Sequence, residues 1–483
     1  MHPYLRRDNN HTRLIGTGKP FLMLAGELHN SSLSSARYMA DVWPAMKKQG
    51  INTLLGCVSW EQIEPFEGKF DFSELDKIIL GAREHNMRLV LLWFSAYKNA
   101  LSTCAPSWPG GGQKILNTIT PLSTECAEAD ARAFGKLLQH LKDFDADHST
   151  ILMIQVENEP GILGDSRDRS FLAEAAFREP VPEPLLRHLA DNPHLLFAKR
   201  FPNVFMAFYF ARYIERVAAF GKKRYPIPHY ANAWLNLDGL DALDAGLASS
   251  VYPSGGPCAH VLDIWRFAAP SLDFISPDLY LQDYEKVCND FTDKGNPLFI
   301  PEQRRDEHGA RRIWLAHGAY GALGVSPFGI DTGAEAVGRE YKLLSQVKDL
   351  VVGSSLPWTK LFGEMQVTVE RASVFGKPGP GAGIIIRLAD QKFLLVGYGF
   401  QVSFKSVKKG VRFTGILKAK EMEVSEEGNL RPLRLLNGNE TRGGSAMVLP
   451  NKEPSPGEFP ITTCIPARTG IAEVDVYILN KTT

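Results

Sequence analysis

Eight short apolar runs recur along this chain, each closed by a polar or Gly/Pro break, and they limit what it can fold into more than any other feature. They are FLMLAGELHN (21–30), INTLLGCVSW (51–60), RLVLLWFSAY (88–97), ILMIQVENE (151–159), PIPHYANAW (226–234), FISPDLY (274–280), NPLFIPEQ (296–303) and GALGVSPFGID (321–331). Segments this apolar have no polar face to give to water, so they belong in a parallel sheet covered on both sides. Segments of helical period lie between them: SARYMADVWPAMKKQG, stopped by Gly50, then FSELDKIILGAREHN, AEADARAFGKLLQHLKDF, MAFYFARYIERVAAFGKKR and ARRIWLAHGAY. Eight such units close into an α/β fold of the (β/α)8 TIM barrel type, with the catalytic face at the C-terminal ends of the strands.

After the segment EYKLLSQVKDLV (340–351) the texture changes. MQVTVER, GIIIRLA, KFLLVGYGFQVSF, VRFTGILKAKEMEV and AEVDVYIL are rich in β-branched and aromatic residues, with Gly, Pro and Asn in the gaps. The pattern predicts a catalytic barrel over 1–350 and a smaller all-β sandwich domain over 351–483. The stretch 160–203 is too long for an ordinary βα connection and is expected to form a lid or wall beside the site.

Bulk properties narrow the partners. Among 483 residues, 54 Lys plus Arg balance 54 Asp plus Glu, which gives no basic field for nucleic acid; a neutral small substrate fits better. The six cysteines (Cys57, Cys104, Cys126, Cys258, Cys288, Cys464) show no CxxC or metal-finger spacing and are expected to be free thiols. The opening MHPYLRRDNNHTRLIG lacks a signal-peptide core, and no run is long and uncharged enough to span a bilayer, so a cytoplasmic protein with no membrane partner is expected. The sequons at Asn10, Asn30, Asn439 and Asn480 then carry little weight. A homo-oligomer is compatible with all of this.

Polar residues gather at the strand ends: Glu27 and His29, Trp60 and Glu61, Asn158 and Glu159, Asn232, Tyr280, Glu302. Desolvating ionised carboxylates is costly, so their place at the mouths of buried strands points to a use. Glu159 and Glu302 end the fourth and seventh strands, which face each other across a barrel. Glycoside hydrolysis needs such a pair, one group protonating the leaving oxygen and the other meeting positive charge at the anomeric carbon. The expected spacing is the retaining one, about 5 Å. Glu159 is then the acid/base with a raised pKa, and Glu302 the ionised nucleophile. Asn158 is placed to bind the hydroxyl beside the reacting carbon. Tyr280 is placed to hold Glu302, and Trp234 to stack on a sugar face. Glu27 and His29 are candidates for sugar hydroxyls, Glu157 for a structural role on the opposite face from Asn158, and Glu64 for a solvated loop. Trp60, Trp93 and Trp108 read as core. Asp165, Arg167 and Asp168 are expected to pair locally.

WEQIEPFEGKFDFSELD (60–76), GELHNSS (26–32), WFSAYKNALSTCAPSW (93–108), ENEPGILGDSRDRS (157–170) and RPLRLLNGNE (431–440) together resemble the retaining barrel glycosidases, and within them glycoside hydrolase family 35, the β-galactosidases, in the microbial branch with a C-terminal β-domain. The resemblance implies Glu159 as acid/base and Glu302 as nucleophile. It also implies an oligosaccharide substrate with terminal galactose and no metal or organic cofactor. Where better-known members carry a Pro/Gly-rich motif with a sugar-binding Glu, this chain reads Ala96-Tyr97-Lys98-Asn99, which makes Lys98 and Asn99 the candidates for those contacts. Two alternatives stay open: a retaining β-glycosidase for arabinopyranose, fucose or galactofuranose, and a catalytically silent carbohydrate-binding barrel.

Overall fold

A computed structural model describes residues 2–8, 11–106, 118–191, 202–237, 244–247, 252–353, 361–372, 380–451, 464 and 468–481. Asn10 and Trp108 lie outside the described residues. The contacts gather into two units, Met1–Arg305 with Leu323–Ala334, and Asp306–Ala322 with Glu335–Thr483.

The first unit holds the barrel. Its strands are β4 (Met23–Glu27), β5 (Thr53–Ser59), β6 (Arg88–Lys98), β7 (Ile151–Asn158), β8 (His229–Trp234), β9 (Phe274–Leu279), β10 (Ile300–Gln303) and β11 (Gly324–Pro327). Every neighbouring pair is parallel, and β11 returns to β4 to close the ring. All eight apolar runs thus become barrel strands. Three short strands before them, β1 (Tyr4–Asp8), β2 (His11–Gly16) and β3 (Lys19–Pro20), form an antiparallel sheet that the sequence did not reveal. From it Leu14 packs into one apolar cluster with Met23, Leu152, Phe274, Phe299 and Leu323, which lie at or just before strand starts. The little sheet therefore plugs the end of the barrel opposite the catalytic face.

The helices of this unit are α1 (Ala36–Lys48), α2 (Trp60–Ile63), α3 (Ser73–Glu84), α4 (Thr124–Asp145), α5 (Phe171–Arg178), α6 (Glu183–Asp191), α7 (Pro202–Lys222), α8 (Leu262–Ala268) and α9 (Tyr284–Thr292). Side-chain caps start several of them: Ser35, Ser123, Ser170 and Asp283 each accept a backbone N–H of the first turn. Helices α5 and α6 occupy the insertion after β7. Ahead of them the chain is tied down by an Ile162–Ser254 bridge and by Ser254 Oγ donating to Ser166 O at 2.5 Å. In the same stretch Asp165 pairs with Arg169, and Arg167 with Glu174.

Among its described residues the second unit contains α10 (Glu307–Tyr320), α11 (Glu335–Ser345), α12 (Lys348–Gly353) and nine strands: β12 (Leu361–Phe362), β13 (Met365–Arg371), β14 (Ala382–Ala389), β15 (Lys392–Tyr398), β16 (Phe400–Ser406), β17 (Val411–Val424), β18 (Leu430–Leu436), β19 (Ala446–Leu449) and β20 (Ile471–Asn480). They make a four-stranded sheet, β12-β13-β16-β19, and a five-stranded sheet, β14-β15-β20-β17-β18. Phe393 and Leu395 of one sheet share a core with Val402 and Phe404 of the other, as in a β-sandwich. The run KFLLVGYGFQVSF breaks at Gly397 and Gly399, both with positive φ, so that its halves enter different sheets. A Cβ at Gly397 would lie 2.1 Å from Ala382 O, which only glycine avoids. Glu340 of α11 is buried and accepts from Trp314 Nε1 at 2.6 Å and Tyr398 Oη at 2.7 Å.

Candidate active site

The C-terminal ends of the strands surround a cavity of about 450 Å³ whose wall includes Asn99, Asn158, Glu159, Trp234, Asp278, Tyr280 and Glu302. Glu159, Asp278 and Glu302 each present a carboxylate oxygen, and the three oxygens lie within 4.8 Å of one another. That spacing suits a cation held by three acids, and equally a set of carboxyls that share protons.

The backbone that delivers Glu159 is unusual. Glu157 and Glu159 have φ of 66° and 46°, and across the strand pair Asn99 and Ala100 have φ of 50° and 58°. Non-glycine residues adopt this region at a cost of about 1–3 kcal/mol each. Hydrogen bonds hold them there: Asn99 N donates to Asn158 O at 3.0 Å and Ala100 N to Glu159 O at 3.1 Å. The left-handed Glu157 breaks the alternation of β7, so Gln155 and Asn158, three residues apart, meet on one side, with Gln155 Nε2 donating to Asn158 Oδ1 at 2.9 Å. Glu157 itself turns away from the cavity, where it accepts from Tyr97 N at 2.9 Å and Ser95 Oγ at 2.6 Å.

Polar partners fix each amide. Lys98 Nζ donates to Asn99 Oδ1 at 2.8 Å, which forces the Asn99 NH₂ toward Glu159 Oε2 at 2.7 Å. Glu159 N donates to Asn232 Oδ1 at 2.9 Å, so the Asn232 NH₂ faces Asn158 Oδ1 at 3.0 Å and Asp278 Oδ2 at 2.8 Å. Tyr280 Oη donates to Glu302 Oε2 at 2.8 Å.

The electrostatics separate the acids. Burial and then the charge of Glu302 push the Glu159 carboxyl up to about 8, against smaller opposing pulls from Asp278 and Lys98. Burial also raises Glu302, while the Tyr280 hydroxyl and Lys98 draw it back. Glu27 and Asp278 are raised well above the ordinary range, by burial first and by the charge of Glu302 second. The negative charge of Glu302 thus raises its three neighbours, while the Tyr280 hydroxyl and Lys98 favour its own ionised form.

Of the residues expected from sequence, Glu159, Glu302, Asn158, Asn99, Trp234 and Tyr280 meet in this cavity. Glu27 and Lys98 act on the acids electrostatically without standing in the described wall. Both Glu27 carboxylate oxygens are buried without a hydrogen-bond partner among the described residues. His29 is turned to Asp331, with Nδ1 at 2.7 Å, and its ring meets Phe328 edge-on. Trp60 and Trp93 are core residues. Glu64 is not a solvated loop residue: it is buried, and it accepts from Trp60 Nε1 at 2.8 Å and Gly68 N at 2.7 Å. Asp278 was missed. Its signal was available in FISPDLY, where it lies two residues before Tyr280 and so on the same face of a strand.

Comparison with known proteins bears on this site. A glycoside hydrolase 42 family model described as beta-galactosidase matches residues 33–108. A domain of unknown function, DUF5597, matches residues 337–448. A beta-galactosidase of Xanthomonas manihotis is 26% identical over 174 residues, 34% of this chain and 27% of that protein. The human beta-galactosidase-1-like protein 3 is 28% identical over 189 residues, 36% of this chain and 28% of that one. The relatives share beta-galactosidase in their names. The matched segments span little more than a quarter of those relatives' lengths. Among solved structures, the beta-galactosidase of Rahnella sp. R3 aligns with a TM-score of 0.48 and 17% identity, covering 70% of this chain and 58% of that one. The family model matched is that of family 42, whereas the motifs in the sequence resemble family 35.

Proposed function

We propose that this chain is a retaining, exo-acting β-galactosidase of the family 35 kind, which removes terminal galactose from oligosaccharides with Glu159 and Glu302. The observation that carries the proposal is that Glu159 and Glu302 each bring a carboxylate oxygen within 4.8 Å of the other's in one cavity, an approach compatible with the separation of about 5 Å of a retaining pair. In the first step Glu302 attacks the anomeric carbon while Glu159 gives its proton to the departing glycosidic oxygen, leaving a glycosyl ester on Glu302. In the second, Glu159 takes a proton from water, water oxygen bonds to the anomeric carbon, and the Glu302 carboxylate leaves. Two features support these roles: Glu159 is pushed up to about 8 and so is protonated at neutral pH, and Glu302 is drawn back toward its ionised form by the Tyr280 hydroxyl and Lys98. A cavity of about 450 Å³ is the size of a small-ligand site, which supports action at a chain end. The sugar comes from the names of the relatives; the carboxylate geometry alone would serve any β-glycoside.

Azide rescue tests the assignment. On an activated β-galactoside, Glu302→Gly with azide is expected to yield the α-galactosyl azide, and Glu159→Ala the β-galactosyl azide. Swapped anomers would reverse the roles, and a Glu302→Gly variant as active as the parent would revive the carbohydrate-binding alternative.

A further inference from the structure

Asp278 is the group at this site that the two-glutamate mechanism leaves without a task. It is 3% exposed, and it stands in register between Trp234 of β8 and Glu302 of β10. Its Oδ2 accepts from Asn232 Nδ2 at 2.8 Å, and the orientation of that amide is not free, because Asn232 Oδ1 must receive the Glu159 N–H. Oδ1 of Asp278 is buried and meets no N–H or hydroxyl donor among the described residues. An ionised oxygen left bare in this place would be expensive. An oxygen that carries a proton resolves the deficit: a carboxylate oxygen of Glu159 lies within 4.8 Å of one of Asp278, and the two side chains are placed to share a hydrogen bond. One amide thus ties both acids: its oxygen fixes the backbone of Glu159, and its NH₂ marks which Asp278 oxygen accepts, leaving the other to donate.

We propose that Asp278 is a protonated positioning residue that donates a hydrogen bond to Glu159 and stabilises Glu159 once its proton has gone to the leaving group. The inference rests on the reading of Glu159 as the acid/base. No net chemistry passes through Asp278: it keeps its proton in both steps, and Glu159 alone exchanges a proton with the leaving group and with water. The surrounding groups agree with a neutral Asp278. Glu302 from β10 places negative charge against it, as do Glu159 and Glu27 from β4 once they ionise, Tyr230 from β8 and Tyr280 after β9 are neutral phenols, Cys258 near Glu159 is a neutral thiol, and the cation Lys98 from β6 acts on Glu159, Glu302 and Glu27. Burial of Asp278 and the Glu302 charge both oppose its ionisation, in the same sense as the geometry.

The test compares two variants by the alkaline limb of kcat/KM, which reports ionisation of Glu159. Asp278→Asn keeps a donor where the acid had one, and the limb is expected to stay within about 0.3 pH unit of the parent. Asp278→Ala removes the donor that favours ionised Glu159, and the limb is expected to move up by about one unit. A downward shift of a unit or more in Asp278→Asn would mean that a negative charge had been removed, and would overturn the proposal. So would an unmoved limb in Asp278→Ala. A readout free of activity is infrared difference spectroscopy of parent minus Asp278→Asn at pH 7, which should show a protonated-carboxyl carbonyl band; its absence contradicts a protonated Asp278. If the parent cleaves no glycoside, the proposed function fails, while the infrared result still decides the state of Asp278.

Discussion

Lys98 does more at this site than its contacts suggest. Its ammonium donates to Asn99 Oδ1 and lies over the Phe94 ring, yet it also lowers Glu27, Glu159 and Glu302 together. Replacing it with Met removes that influence, so both limbs of the pH–activity profile should move to higher pH. On the acid side of the profile, where less Glu302 would be ionised, a rise of about one unit in its pKa would lower kcat/KM by about tenfold. A pH–rate profile of Lys98→Met checks this, and limbs that stay in place would show that Lys98 serves only to orient Asn99. At this scale the residues that meet in the cavity were more legible in the sequence than those that support them. Glu159, Glu302 and Tyr280 were visible because a polar residue ending a long apolar run has few structural reasons to be there. Asp278 was hidden because Pro277-Asp278 reads equally well as the start of a turn. Glu64 was misjudged because local sequence cannot tell that a loop acid will fold back under the indole of Trp60.

Below the site, strands β6 and β7 are joined to helix α4 by a buried acid pair. Asp130 accepts from Trp93 Nε1 at 2.9 Å and Tyr213 Oη at 3.0 Å, and Ser95 Oγ lies 2.5 Å from Asp130 and 2.6 Å from Glu157. One hydroxyl proton cannot serve two carboxylates. Glu157 is raised well above the ordinary range, by burial first and by Asp130 second, so it holds a proton and donates to Asp130. This network secures the left-handed Glu157 from which Asn158 and Glu159 project. Asp130→Ala would strand the indole, the phenol and the Glu157 acid, and should cost about 3 kcal/mol in urea unfolding. A loss under about 1 kcal/mol would mean that the pair is incidental to the strand end. The elements were legible in proportion to their burial. Barrel strands announce themselves as unbroken apolar runs, whereas β1, Tyr-Leu-Arg-Arg-Asp, has no fully buried position, and helices α8 and α9, of seven and nine residues, are too short for their buried positions to stand out as a period.

For the whole molecule, the raised carboxyls set how stability depends on pH. Glu27, Asp130, Glu157, Glu159, Asp278 and Glu302 all have folded pKa values above their unfolded ones, so the native state binds more protons, and stability falls as pH rises between the two values. Buried His229, lowered well below its usual value, and His317, lowered to about 4, act oppositely, but their contribution is complete above about pH 6.5. Between pH 6.5 and 8 the carboxyls therefore dominate, and the unfolding free energy should fall by about 1.4 kcal/mol per pH unit for each carboxyl that stays protonated. Urea titrations at the two pH values test this, and equal or rising stability would mean that these acids ionise in the folded state.

The claim beneath all of this is that Glu302 forms the bond to the sugar. A 2-deoxy-2-fluoro-β-galactosyl fluoride should inactivate the protein with one covalent glycosyl group per chain, and peptide mapping by mass spectrometry should find it on Glu302. A label on Glu159, Glu27 or Asp278 would contradict the account.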